Sequence, residues 1–375
     1  MDFSLNDDQI AQRDAVRRFC ETQYPAEKRG DPESPELSAK RWHGMAELGL
    51  LGLPFDAQWG GGEQGAVEVM LAATELGRVL GGGAYLPGVV LAGGLLARAG
   101  SESQKKRWLP DLIKGQLRIA AAIYDEGVRY QWRESATRAT RTPDGYSISG
   151  RKTLVLHGDT AQLFLVLART SGRDPEAEGL SLFAVQANTP GVQIQGFDTL
   201  DGRRAAHVTF THVDVTTERL LGEPGQAALH VEAALDTTSA ALCAEAVGAV
   251  DALIAMTAEH LRTRQQFGQP LAKFQALQHR VADMGIALEH LDSMACAAAT
   301  AVADDVAIAT RQRLVSGAKV MAAQVGRQVG AAAIQLHGGM GMTHECRVGH
   351  YAKRLLVIGQ LFGDAAYHLE RFRRV

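Results

Sequence analysis

Cysteine is scarce here: Cys20, Cys243, Cys296 and Cys346 are scattered over 375 residues, with no CxxC pair and no histidine at metal-ligand spacing. This excludes a disulfide scaffold and a zinc ribbon, and it fits buried, reduced thiols in a cytoplasmic protein. Charge of one sign is equally lacking. The 39 Lys and Arg stand against 42 Asp and Glu, for a net charge of −3, and no basic block marks a nucleic-acid surface. Apolar runs are short, so no membrane span is expected. The acidic, amphipathic start MDFSLNDDQIAQRDAVRRF lacks the charged-then-apolar order of a secretory signal. No metal is implied.

What the chain does have is enough length for two or three domains and 46% hydrophobic residues to fill their cores. Its first third reads as helices. Asn6 is placed to cap a helix from Asp7 to about Gln23, and a second helix runs from Glu36 to Leu48. A glycine-punctuated loop follows, GLLGLPFDAQWGGGEQG, before helical patterns resume. From about Gln116 the texture changes to short period-2 runs such as QLFLVLART and HVTFTHVDV, divided by Pro, Gly and Asp turns. Asp144-Gly145 between two alternating runs predicts a hairpin. The segment LLGEPGQ, 220 to 226, reads as a linker. Three long alanine-rich helices are then expected, Leu229 to Arg264, Phe274 to Ala303 and Val306 to Leu336. The fold class is therefore α+β and multidomain: an N-terminal helical domain (1–116), a middle antiparallel β-domain (117–222) and a C-terminal helical bundle (223–375).

Two stretches of the last domain depart from ordinary bundle sequence. In RTRQQFGQPLAKFQALQHR a long helix breaks at Phe267-Gly268 and restarts, with Arg264 just before the break. An arginine at a helix end beside free backbone N–H groups suits an anionic ligand such as a pyrophosphate. In QLHGGMGMTHE the glycines permit positive φ and close backbone approach, although the run is not the GxGxxG of a dinucleotide-binding strand–turn–helix. His337 and His344 have no carboxylate neighbours in sequence, and both read as structural.

Together these motifs, R-x-Q-F-G-x-P-L-x-x-F-Q and then Q-L-H-G-G-x-G-M-T-x-E, resemble the acyl-CoA dehydrogenases, and the resemblance runs the length of the chain. The segments ALCAEAVGAVDAL and VGHYAKRLLVIGQLFGDAAYHL resemble the small subunits of two-component, pimeloyl-CoA dehydrogenase-like enzymes. The resemblance implies a C-terminal four-helix bundle, bound FAD and α,β-dehydrogenation of an acyl-CoA thioester. In such enzymes a carboxylate takes the α-proton and the flavin accepts the hydride. By the same resemblance, Arg264, Phe267, Gln275, Gln335, Gly338 and Gly339 contact the FAD of a neighbouring subunit, and Asp236 lies at the CoA side.

The family's remaining site residues are altered in this chain. Its Thr-Glu-Pro stretch corresponds to AIYDEGVRYQWRES, where Asp125 and Gly127 are the echoes, and its Trp-Ile-Thr corresponds to Leu154-Val155-Leu156. The Glu-Gly-Thr turn that carries the base corresponds to Phe362-Gly363-Asp364, and the alternative glutamate position falls near Thr238. No catalytic residue is therefore assigned. The expectation is a base-lacking subunit of a heteromeric dehydrogenase, assembled as a dimer or tetramer, with an electron-transfer flavoprotein as acceptor. Two other readings stay open. One is an active homo-oligomer with a displaced base, Asp364 or Asp236, and the other is a structural paralogue that binds no flavin.

Overall fold

Asn6 opens the first helix as its sequence promises: its side chain accepts from the Gln9 backbone at 2.8 Å while Gln9 returns a bond to the Asn6 N–H. The computed structural model describes residues 5–31, 33–303 and 306–375. Five helices come first: α1 (Asp7–Gln23), α2 (Pro35–Glu47), α3 (Ala66–Arg78), α4 (Gly94–Ala99) and α5 (Glu102–Ile113). Eight strands follow: β1 (Ile119–Ala122), β2 (Arg138–Arg141), β3 (Gly145–Leu156), β4 (Leu163–Arg169), β5 (Leu180–Gln186), β6 (Val192–Asp198), β7 (Arg204–Thr216) and β8 (Leu220–Leu221). The rest is α6 (Ala227–Thr263), the short strands β9 (Gln265–Gln266) and β10 (Gln269–Pro270), α7 (Gln275–Ala303), α8 (Ile308–His337), α9 (Arg347–Ile358) and α10 (Ala365–Arg374). By contacts the chain divides into two compact units: Met1–Pro32, Gly65–Gly82 and Ser239–Val375; and Glu33–Gln64 and Gly83–Thr238.

The first unit is helical. Within it α8 packs on α7, α9 and α10, and α1 packs on α3. The backbones of α3 and α6 come so close that a Cβ on Gly248 would sit 1.8 Å from the Thr74 carbonyl oxygen. Glycine there lets two helices touch main chain to main chain. Nearby, Arg354 grips Glu245 through two bonds of 2.8 Å, both side chains buried. By length and composition α6 and α7 could each cross a bilayer, contrary to the expectation from sequence, because sparse polar residues hide an apolar average. In α6, 72% of that apolar window is buried, which marks a core helix. In α7 only 33% is buried, and Ile286 is among the residues left exposed.

The second unit holds the sheet, in the order β6-β7-β3-β2-β4-β5-β8, with β1 paired to β4. The sheet is mixed, which corrects the antiparallel expectation: β1 and β2 both run parallel to β4. Tight turns force antiparallel neighbours, whereas the long excursion after β1 leaves its direction free. Edge-to-face contacts of Tyr146 with Phe183 and Phe164 with Phe210 fill the core. The Asp144-Gly145 hairpin forms between β2 and β3, but Gly145 serves the strand: a Cβ there would lie 2.0 Å from Val215 O on β7. The segment read as a linker contains β8, which pairs with β5. Residues Tyr85–Gly93 of the helical YLPGVVLAGG run form a fully buried π-helix.

Candidate functional site

In the first unit, α6 stops at Thr263 and the chain turns through the two-stranded ribbon β9–β10. Phe267 (φ +54°) and Gly268 (φ +77°) are its two central residues, the signature of a type I′ hairpin. A phenylalanine in the left-handed region carries strain, and this one is 89% exposed at the tip of the turn. Leu271 N donates to Arg264 O at 2.9 Å and closes the ribbon. Arg264 lines a groove of about 700 Å³ beside it.

Four charged or titratable side chains line that groove: His260 and Arg264 from the end of α6, Arg280 from α7 and His337 from α8. No carboxylate lines it among the described residues. Its far wall is Gln335 to Met340, where α8 ends and Gly338 takes φ +63°. A Cβ added at Gly338 or Gly339 would meet nothing within 4 Å, so the backbone stands open to a ligand. The rings of His260 and His337 stack at 4.3 Å. Burial, then His337 and Arg264, hold His260 below the ordinary histidine value.

Of the residues singled out in sequence, Arg264, Gln335, Gly338 and Gly339 meet in this groove. Phe267 projects from the hairpin tip and Gln275 opens α7, and neither lines it. His337, read as structural, is part of the lining. Arg280 and His260 were not singled out, since only the convergence of α6, α7 and α8 brings them there. His344 packs edge-on against His350, whose ring Nε2 lies 2.9 Å from the His344 carbonyl oxygen.

A second turn in this unit holds Phe362 (φ +59°), Gly363 (φ +127°) and Asp364. Asp364 is the N-cap of α10, accepting from Tyr367 N at 2.9 Å. Beneath the turn lies Lys319, 1% exposed, whose Nζ donates to Ile358 O at 2.6 Å and Leu361 O at 2.7 Å. Burial pushes this ammonium down to about 8. His368 is buried beside it, with Nδ1 3.3 Å from Ser316 Oγ and Nε2 unpaired. Burial, then Lys319 and Arg371, drive its imidazole down to about 2, so the ring is neutral.

In the second unit, Lys152 Nζ lies 2.6 Å from Asp125 Oδ2 and 3.0 Å from Ile123 O, wholly buried. Ser135 Oγ donates to Asp125 Oδ2 at 3.0 Å, and Thr137 donates to Oδ1 through both its N–H and its hydroxyl. Asp125 is thus fully engaged in holding the sheet. Gly127 takes φ +85° in open space. Leu154 sits at φ +49° in a break of the β3–β7 register and is 41% exposed, a bulge that turns an apolar side chain outward. Val155 is buried. On α6, Asp236 is 2% exposed and Thr238 is buried, its hydroxyl bonded to Ala234 O at 2.7 Å.

Known proteins match this architecture from end to end. Three family models fit in order: the N-terminal domain of acyl-CoA dehydrogenase over residues 6–116, the middle domain over 120–214 and the C-terminal domain over 229–375. A probable acyl-CoA dehydrogenase of Bacillus subtilis, YngJ, is 28% identical over 367 residues, covering 96% of both chains. Among solved structures, an FAD-dependent dehydrogenase superposes with a TM-score of 0.90 at 25% identity, covering 100% of this chain and 99% of that one. A chain of the ChsE4–ChsE5 complex from Mycobacterium tuberculosis does so with a TM-score of 0.87 at 28% identity, covering 100% and 98%. Matched across helices, sheet and helices alike, the chain belongs to the acyl-CoA dehydrogenase family.

Proposed function

We propose that this chain is one subunit of a heteromeric, FAD-dependent acyl-CoA dehydrogenase, in which it holds the diphosphate half of a flavin and leaves the base to its partner. One contrast carries the reading. The groove of Arg264, Arg280, Gln335, Gly338 and Gly339 is cationic, open and free of carboxylates among the described residues, while the catalytic turn presents Phe362. Guanidinium forks and bare glycine backbone fit a pyrophosphate, so the donor set is compatible with the cofactor. When bound, the flavin supplies the hydride acceptor. This chain's residues bind and orient it: Arg264 and Arg280 offer charge-assisted donors, and the Gly338–Gly339 backbone allows close approach.

Side-chain chemistry supports a base-lacking chain. Phe362 cannot take a proton, Asp364 is committed to capping α10, and Asp236 is buried on α6. The exposed Phe267 offers an apolar contact for the second subunit. The relative solved as the ChsE4–ChsE5 complex supports a two-chain assembly. The substrate is an acyl-CoA, and an electron-transfer flavoprotein takes the electrons. Purifying the chain alone and together with its partner subunit tests the proposal. The pair is expected to be yellow and active and the lone chain inactive; full turnover with stoichiometric FAD in the lone chain would refute it. A pair that stays colourless would favour the flavin-free paralogue instead.

A further inference from the structure

The stacked histidines of the groove have one proton position fixed by geometry. His337 Nδ1 lies 2.8 Å from the Ala333 carbonyl oxygen. A carbonyl only accepts, so Nδ1 carries the hydrogen in either charge state. Nε2 is then a bare lone pair in the neutral ring and becomes a donor only when the ring is protonated. The ring stacks at 4.3 Å and 24° on His260, and like charges at that separation repel, so the pair accommodates one proton. Every other charged group lining the groove is a guanidinium, Arg264 just beyond the end of α6 and Arg280 on α7, and no described carboxylate offsets them.

We propose that this pair couples a proton to diphosphate binding: an incoming dianion between Arg264 and Arg280 draws one proton onto the His260–His337 stack, which converts Nε2 of His337 from acceptor to donor. The inference rests on the reading of the groove as a diphosphate site, and it adds a regulation that arginines alone would not impart. Empty, the groove already holds two permanent positive charges, and these oppose a third. Burial, His337 and Arg264 all lower the affinity of His260 for a proton. A bound dianion reverses that balance. The protonated stack binds the anion better, so affinity rises as pH falls and is lost as pH rises above the histidine range.

ADP-ribose is the probe, because both phosphates of its diphosphate are diesters and keep two negative charges throughout. Calorimetric titration of the full chain at pH 6.5, in two buffers of different ionisation enthalpy, is expected to show close to one proton taken up per ligand. Affinity at pH 8 should be roughly tenfold weaker. His337→Phe, which keeps a stacked aromatic, should abolish the uptake and flatten the pH dependence, whereas His260→Phe, which removes only the repelling neighbour, should keep the uptake. Binding with no proton uptake and equal affinity at both pH values overturns the inference and leaves the groove reading standing. Uptake unchanged in His337→Phe assigns the proton elsewhere and also overturns it. No binding at either pH overturns the groove reading and this inference together.

Discussion

Lys319 reaches from α8 to place its ammonium 2.7 Å from the carbonyl oxygen of Leu361, one residue before the turn at Phe362. With its second bond to Ile358 O, it satisfies carbonyls left over at the C-terminal end of α9. Burial lowers its affinity for a proton from the ordinary 10.5 to about 8. Between those values the folded chain binds fewer protons than the unfolded one, so stability rises with pH across that window, by up to about 3 kcal/mol. Lys319→Met should lose this rise. The gap in thermal midpoint between wild type and variant should therefore widen from pH 7.5 to 9.5; a constant gap would place the ammonium's titration elsewhere.

His368 acts at the acid end. Its neutral, buried ring titrates near 2 when folded and near 6.5 when unfolded. Below pH 6.5 the unfolded chain binds the extra proton, and stability falls as pH drops. Over two pH units the loss is about 2–3 kcal/mol. Denaturation at pH 7 and 4.5 should show His368→Gln losing less stability than wild type between the two.

Asp364 separates capping from catalysis. Asn caps a helix about as well as Asp, while Ala costs roughly 1 kcal/mol. In the assembled enzyme Asp364→Asn should keep both stability and turnover, and Asp364→Ala should lower only the melting temperature. A hundredfold loss of turnover in Asp364→Asn with unchanged stability would make Asp364 the base.

The buried Lys152–Asp125 pair should be costly to break from one side. Asp125→Asn leaves an ammonium without its counter-charge and should destabilise the chain by about 3–5 kcal/mol. The double variant Asp125→Asn with Lys152→Met should recover part of that loss in chemical denaturation.

In the proposed two-chain enzyme, Arg264→Ala should weaken flavin retention. Loss of a charge-assisted contact of about 1.5–3 kcal/mol corresponds to a tenfold to hundredfold weaker dissociation constant. Flavin absorbance after dialysis measures it.

Local chemistry made much of this legible in the sequence. The Asn6 cap with Gln9, the Asp144-Gly145 hairpin and the break before Phe267 each depend on residues a few positions apart. Arg264, Gln335 and the two glycines could be found because they fall in short motifs. Arg280 and His260 could not, since each looks like an ordinary polar helix residue until α6, α7 and α8 converge. Lys319 likewise sits in an alanine-rich helix as a surface lysine would, and only the end of α9 packed over it reveals its burial. The parallel pairing of β1 with β4 was hidden for the same reason: Ile119 meets Leu163 across a long stretch of chain.

The hairpin that lifts Phe267 into solvent has a further consequence for how the chain behaves by itself. The hairpin already fixes the backbone at Phe267, so little main-chain entropy remains to be lost when something covers its exposed ring. That favours fast, tight capture by a fitting surface. It also leaves a point of apolar contact that any covering surface would take out of water.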